Sequence, residues 1–353
     1  MNGVIVTRND GTGLGGRAGL WLGAGLFLLF SCAVFWGLAR FLGEGIPRID
    51  PRLIEPQSLA LIGLFLGIYF LADGMRLHFV LRTLDAQVSF GQVMPLVFVN
   101  IFFSNVTPMA TGGGFAQIYY LQRRGVPLGL AAAASTIRTI LAMLAIFIAA
   151  PLFLIGAPAV EIAGGSGALV SSIAVVIALY LVGFLVLLLR PDWLLRVLDG
   201  ALALLVHAHL LKPDRKSRWT DALRREFATF AEGFRRFQSG PRRHAVAALL
   251  STLLFLLTLF AFPALLMALL GQEPDWLTVI GTLSVVTFLM YFAPSPGGAG
   301  FSELAFAGLM AGQIAPSQLV LVIFTWRFLT IYLGMAIGAV VSISALRPRA
   351  ARA

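Results

Sequence analysis

The sequence predicts an all-α fold, a polytopic membrane helix bundle with two inverted repeats, each containing a Pro/Gly-broken re-entrant hairpin. Three observations support this. Of the 353 residues, 59% are hydrophobic and only 12% are charged, whereas soluble domains carry about 25% charged residues. Apolar stretches long enough to cross a bilayer recur along the chain. The net charge of +10 comes from Lys and Arg beside these stretches, which indicates a membrane protein rather than a nucleic-acid-binding one.

The predicted elements follow in order from hydropathy. Residues 1–18 are a Gly-rich cytoplasmic tail, 19–346 form a single transmembrane domain, and 347–353 are a basic cytoplasmic tail. The domain divides into a first half at 58–155, a cytoplasmic amphipathic linker at 190–243 and a second half at 244–346. Six full spans are predicted, at 19–39, 58–80, 127–155, 169–189, 244–270 and 317–345.

The linker is the only long polar stretch, with twelve Lys or Arg against six Asp or Glu. Apolar and aromatic residues recur in it at spacings of three and four, which gives one helical face; they are Trp219, Leu223, Phe227, Phe230, Phe234 and Phe237. Such a helix can lie on the anionic leaflet or pack against the protein's own loops. The sequence leaves both interpretations open.

The topology follows from the charges. Basic segments belong in the cytoplasm, and the loops near Glu161 and near Glu273 and Asp275 belong outside. Six spans then place both termini in the cytoplasm only if two further apolar regions do not cross the membrane. Residues 92–122 must enter and leave the membrane on the cytoplasmic side, and residues 277–315 on the outer side. An eight-span count is the alternative. Broken backbone at membrane depth must line protein or a water-filled cavity.

These two regions contain an internal repeat. Residues 108–117 align without a gap to residues 294–303 with the shared pattern P-x-x-x-G-x-G-F-x-[QE], four identities in ten. Each copy is followed by an apolar helix with one arginine in its first half, Arg138 and Arg327. In the predicted topology the copies have opposite orientation, as in transporters whose paired broken segments mark a site near the midplane. The predicted hairpin breaks are Pro108, Gly112, Gly113, Gly114, Pro294, Pro296, Gly297, Gly298 and Gly300.

With these motifs, the chain resembles the lysylphosphatidylglycerol synthase transmembrane (flippase-like) domain family. Residues 107–114 with 119–121 are similar to its first motif, and residues 293–300 with Glu303 to its second. Gly114 stands where many members have a polar or acidic residue. Members that synthesise aminoacylated lipid carry a soluble aminoacyl-transferase domain, which we do not expect here. The resemblance, over about 20–345, therefore implies lipid movement without aminoacyl transfer.

Arg138 and Arg327 are the first candidates for a lipid headgroup site. A charge at the centre of a membrane helix costs about 2.5–3.5 kcal/mol on insertion scales and calls for a partner. Each arginine could bind a lipid phosphate with two hydrogen bonds. Alternatively, Arg327 pairs with Glu303, and Arg138 with Gln117, for structural reasons only.

Other polar residues complete the predicted headgroup site; they are Glu303, Gln117, Asn100, Thr111 and Ser295. For Glu303 we favour neutralisation of Arg327 over headgroup contact or proton coupling. The polar residues near the first break could equally satisfy broken backbone, and the glycines could equally serve close helix packing. Asp73 and Arg76 are predicted to form an i,i+3 ion pair near the inner interface.

The functional hypothesis is a flippase-like protein that translocates an anionic or modified phospholipid, or a polyprenyl-phosphate-type lipid, across the bacterial inner membrane. We expect no enzymatic activity, no cofactor and no metal, since His207 and His209 lack a third ligand in reach. Partners would be membrane lipids and possible envelope-synthesis enzymes, not nucleic acid. The alternatives are a non-transporting accessory protein for lipid or envelope glycan synthesis, and a small-solute transporter.

Overall fold

A computed structural model gives the architecture of the chain. It describes residues 49–107, 111–156, 232–291, 293 and 295–345, with isolated positions between 25 and 40 and at 175, 179 and 229. Apart from those positions, the predicted spans at 19–39 and 169–189, both tails and the linker up to residue 231 lie outside the described residues.

Four long apolar helices confirm the predicted spans in the described part. They are α1 (Pro56–Thr83), α4 (Leu128–Gly156), α5 (Arg242–Leu269) and a final helix made of α8 (Pro316–Arg327), a π-helical turn (Phe328–Tyr332) and α9 (Leu333–Ala345). A helix of 28 residues is about 42 Å long, enough to cross a hydrocarbon core of about 30 Å with tilt. The described residues contain no strand, so the all-α membrane bundle is confirmed.

Each predicted hairpin consists of two shorter helices separated by a break. In the first half these are α2 (Phe90–Val106) and α3 (Thr111–Arg123). In the second half they are α6 (Trp276–Met290) and α7 (Phe301–Leu309), with a short 3-10 turn at Pro296–Gly298 between them.

The glycines of the two copies have different roles, which corrects one prediction. Gly297, Gly298 and Gly300 have φ values of 57°, 65° and 82°, the left-handed region that favours glycine, and they form the second break. Gly112, Gly113 and Gly114 were predicted as breaks but lie inside α3. A Cβ at Gly113 would lie 2.8 Å from the Asn100 carbonyl oxygen of α2. The first two of these glycines therefore allow α2 and α3 to approach closely.

The start of α2 and the end of α3 lie at the same end of the bundle. Val93 of α2 and Leu121 of α3 share one apolar cluster with Leu81 near the end of α1 and Ala131 at the start of α4. In the second half, α6 and α7 also pack against each other, and Val279 of α6 and Met310 after α7 belong to the large apolar cluster that holds Met267 near the end of α5. The first pair is thus arranged as a helical hairpin, and the second is a pair of packed helices on either side of the break. Re-entrance and inverted orientation depend on where the bilayer lies, and they stay predictions.

The two ends of the bundle differ in charge. At one end, Thr83 at the end of α1 lies next to Gly240, just before α5, where an added Cβ would be 2.7 Å from the Thr83 carbonyl oxygen. The exposed arginines around this end are Arg82, Arg123, Arg124, Arg235, Arg236, Arg242 and Arg243. At the opposite end, the Arg52 guanidinium donates to the Leu270 carbonyl oxygen. Acidic residues outnumber Arg52 there; they are Asp50, Glu55, Glu273 and Asp275.

The described part of the linker packs against the protein. Phe234 and Phe237, in the helical segment 232–239, contact the apolar cluster at the basic end. A Cβ at Gly233 would lie 2.5 Å from Ala133 of α4. In this segment the aromatic face therefore contacts the bundle, which favours the second of the two interpretations.

Local signals explain where several helices begin and pack. Asp275 caps α6 by accepting hydrogen bonds from the Thr278 hydroxyl, at 2.5 Å, and from the Leu277 N–H. The hydrogen bond from the Thr278 hydroxyl, together with those from the backbone N–H groups of Leu277 and Thr278, lowers the pKa of the Asp275 carboxyl. At Gly338, the backbones of α9 and α2 approach so closely that a Cβ would overlap the Phe98 carbonyl oxygen, the small-residue packing common between membrane helices.

Candidate functional site

A buried polar network joins four helices in the first half, and we call it cluster one (Asp73, Arg76, Asn100, Gln117 and Arg138). Arg138 Nη2 donates to Asp73 Oδ1 at 2.5 Å, and Arg138 Nη1 donates to Gln117 Oε1 at 2.8 Å. Asn100 Nδ2 donates to the same Gln117 oxygen at 3.4 Å. Of the predicted headgroup residues, Arg138, Gln117 and Asn100 are therefore brought together.

Arg76 is the least satisfied member of cluster one. Its Nε lies 2.6 Å from Asp73 Oδ1, the expected i,i+3 ion pair, but the N–H is not directed at that oxygen. Neither Nε nor Nη1 of Arg76 has a hydrogen-bond partner among the described residues. The guanidinium carbon lies 4.1 Å from the centre of the Phe255 ring, which holds the cation by a cation–π contact.

Cluster one carries an excess positive charge. Arg76 and Arg138 share one carboxylate, Asp73, so the net charge is +1 with all three groups ionised. All three are buried, with 3–7% of their surface exposed. Arg138 Nε and Gln117 Nε2 also lack acceptors among the described residues. Because a buried unpaired charge is costly, this arrangement favours a bound anion with several oxygen acceptors.

A second buried group, cluster two (Gly297, Ser302, Glu303 and Arg327), lies in the second half. Arg327 Nε donates to Glu303 Oε1 at 2.6 Å, and the Ser302 hydroxyl donates to Glu303 Oε2 at 2.8 Å. Arg327 Nη2 makes a weak contact of 3.5 Å with the Gly297 carbonyl oxygen. The expected Arg327–Glu303 ion pair is thus present, and cluster two is neutral.

The two clusters follow the sequence repeat, but they have different residue types at the matching position. Gln117 and Glu303 hold the same position in the two copies, and each contacts the arginine of the following helix. In the first half, where that position is an amide, α1 supplies the carboxylate through Asp73. The sequence analysis did not assign Asp73 and Arg76 to the site; the signal was an acid and a base within a predicted span.

Two further residues, Thr111 and Ser295, were predicted to belong to the headgroup site. Thr111 is the first residue of α3, and its side chain lies outside the described residues, as do Pro108 and Pro294. Ser295 lies in the second break, and its hydroxyl has no hydrogen-bond partner among the described residues. Pro296 opens the 3-10 turn. For Thr111 and Ser295, the headgroup role stays a prediction.

Comparison with known proteins gives two findings. A family model described as the lysylphosphatidylglycerol synthase TM region matches residues 18–338 of the chain. The chain is also similar to a protein of Archaeoglobus fulgidus described as a UPF0104 membrane protein, with 23% identity over 273 residues. That match covers 77% of this chain and 81% of the archaeal protein.

Proposed function

Because the chain belongs to the family of the lysylphosphatidylglycerol synthase transmembrane region, we propose that this membrane protein translocates a phosphate-bearing lipid across the bilayer. The proposed substrate is an anionic or modified phospholipid, or a polyprenyl-phosphate-type lipid. Its headgroup binds between the two hairpins. In this proposed role the chain is a carrier that needs no catalytic residue and no cofactor.

The observation that carries the proposal is the excess charge of cluster one. Arg76 and Arg138 present buried guanidinium nitrogens without acceptors, and Asp73 neutralises only one of the two charges. A phosphate offers several oxygens and a negative charge, and guanidinium groups bind it with strong, charge-assisted hydrogen bonds. A bound headgroup would both neutralise the cluster and satisfy these donors.

A lateral apolar groove supports a lipid over a small solute. The groove has a volume of about 510 Å³. Its walls include Leu59 and Ile62 of α1 and Phe324 of α8, with Phe328 in the π-helical turn after it. Leu59, Phe324 and Phe328 are exposed on the outside of the bundle, where acyl chains surround a membrane protein. A lipid could keep its tails in such a groove while its headgroup crosses the protein.

The charges at the two ends support an orientation. The arginine-rich end, which holds the end of α1 and the start of α5, belongs in the cytoplasm by the positive-inside rule. The proposal thus places the first hairpin on the cytoplasmic side, the second on the outer side and the protein in the bacterial inner membrane. Headgroup transfer between cluster one and cluster two would then move the lipid from one leaflet to the other.

A liposome assay tests the proposal. Purified protein is reconstituted with fluorescent phospholipids, and headgroup accessibility is followed for the wild type and for the double variant Arg138→Ala/Arg327→Ala. We expect movement that depends on protein and is lost in the double variant. The matched control is Arg82→Ala/Arg243→Ala, which removes two exposed arginines at the basic end and should leave movement intact.

The negative outcome is also informative. If folded wild-type protein moves no lipid across a broad panel, the accessory-protein alternative replaces this proposal, and both arginines are structural. A variant in which Arg327→Gln is combined with Glu303→Gln removes the pair without leaving an unpaired charge. It separates loss of headgroup binding from loss of folding.

A further inference from the structure

The two hairpins touch each other where α2 meets the second break. Phe102 of α2 and Ala299 share an apolar cluster there, and one polar contact lies beside it. Asn105 lies in the last turn of α2, and its amide faces Gly297 in the second break. A Cβ added at Gly297 would overlap Asn105 Oδ1 and lie 2.9 Å from Asn105 Cγ and 3.6 Å from its Cα. Only glycine at position 297 permits this approach, and its φ of 57° favours glycine as well.

This contact joins cluster two to α2, the helix that also carries a residue of cluster one. Asn100 and Asn105 are both on α2, about 7.5 Å apart along the helix axis. Asn100 contacts Gln117 of cluster one, whereas Asn105 meets Gly297, whose carbonyl oxygen accepts the weak hydrogen bond from Arg327 of cluster two. α2 therefore contacts both clusters: Asn100 belongs to cluster one, and Asn105 lies against Gly297 of cluster two.

The contact itself is held weakly. Asn105 Nδ2 donates to the Ile101 carbonyl oxygen of its own helix at 2.8 Å. Its Oδ1 is buried and has no hydrogen-bond donor among the described residues. Leaving a buried acceptor unsatisfied costs about 1–3 kcal/mol. Parting the hairpins would break no hydrogen bond made by the Asn105 side chain to the second hairpin and would let Oδ1 meet water or a headgroup donor.

We propose that Asn105 and Gly297 form a gate on the headgroup path, closed in this structure, which must open for a headgroup to pass between cluster one and cluster two. When the hairpins part, Asn105 Oδ1 becomes a positioning acceptor at the crossing point. The inference rests on the proposed lipid translocation, and it adds the place where the path closes and the residues that close it.

A reversible cross-link tests the gate. The pair Asn105→Cys/Gly297→Cys is made in a Cys32→Ala background, because Cys32 is exposed and free. A Cβ at position 297 would lie 2.9 Å from Asn105 Cγ and 3.6 Å from Asn105 Cα, so cysteine side chains at the two positions are within reach of each other. We expect oxidation to reduce lipid movement in liposomes to the protein-free rate, and reduction of the disulfide to restore it.

The single variants Asn105→Cys and Gly297→Cys, in the same background, are the matched controls. Each carries one of the substitutions but cannot form the cross-link, so the oxidant should leave its rate of lipid movement unchanged. Full cross-linking at 105 and 297 with unchanged movement would overturn the gate.

A second readout does not depend on transport. Asn105 is only 6% exposed, so a permanently closed contact predicts that Asn105→Cys in the Cys32→Ala background resists a small water-soluble thiol reagent. A gate that opens predicts time-dependent labelling. If the Cys32→Ala protein moves no lipid but Asn105→Cys is labelled, the translocation proposal fails, whereas the opening of the gate is supported. If no labelling occurs and movement persists, the gate is wrong.

Discussion

Asp73→Asn is expected to destabilise the protein far more than Arg76→Gln, although both substitutions remove the same ion pair. Asp73 is the one carboxylate hydrogen-bonded or ion-paired to Arg76 and Arg138 among the described residues. Its loss leaves two buried guanidinium groups without a counter-charge. Loss of Arg76 instead leaves Asp73 and Arg138 as a balanced pair.

The magnitude follows from the geometry. The two N–O distances to Asp73 Oδ1 are 2.6 Å and 2.5 Å, and an effective dielectric constant of about 20 gives roughly 6 kcal/mol of attraction per pair. Desolvation offsets part of this, and removing one partner of a buried pair costs about 3–5 kcal/mol. For Arg76→Gln we expect about 2 kcal/mol, the size of a desolvated cation–π contact such as that with Phe255. The lost attraction to Asp73 is offset by the relief of repulsion from Arg138 and of the desolvation of Arg76.

The assay is thermal unfolding of purified protein in a neutral detergent without anionic lipid. We expect the melting temperature of Arg76→Gln to lie close to that of the wild type, and that of Asp73→Asn to lie well below both. Anionic phospholipid added to Asp73→Asn should recover part of the loss, because a ligand that binds the folded state stabilises it. Equal melting temperatures for the two variants would refute the charge imbalance in cluster one.

Three further predictions concern stability. Gly338→Ala should lower the melting temperature, by overpacking worth about 1–3 kcal/mol, because its Cβ would overlap an α2 carbonyl oxygen; Gly63→Ala, with open space at its Cβ position, is the control and should not. Glu303→Gln should destabilise by about 3–5 kcal/mol by leaving Arg327 unpaired, and adding Arg327→Gln should recover most of that loss in the same melting assay. Asp275→Ala should destabilise the protein at neutral pH but not in strong acid. The pKa of Asp275 lies below its ordinary value, so its capping contribution is present above the ordinary pKa and is lost as pH falls through the lowered one.

The contacts that follow from the repeat could be predicted from the sequence. The pairs Gln117–Arg138 and Glu303–Arg327 connect a motif residue to the next helix, so spacing along the chain was enough to expect them. The spans could also be predicted from the sequence, because an apolar stretch of about 20 residues is long enough to cross the membrane as a helix.

The remaining features depend on how distant helices pack. Asp73 reaches Arg138 because α1 lies beside α4, 65 residues away in the chain, and no periodicity encodes that neighbour. Gly113 and Gly298 occur in similar motifs, yet the first lies within a helix and the second in a left-handed break. A glycine run indicates either close packing or a break, and only the tertiary contacts decide between them.

The most direct test of the central claim is translocation of an anionic phospholipid by Arg76→Gln. This variant removes the excess charge of cluster one and keeps the Asp73–Arg138 pair, so it should fold like the wild type. We predict that its rate in liposomes falls towards that of protein-free vesicles while its melting temperature is retained. Movement at the wild-type rate by folded Arg76→Gln would contradict the assignment of cluster one as the headgroup site.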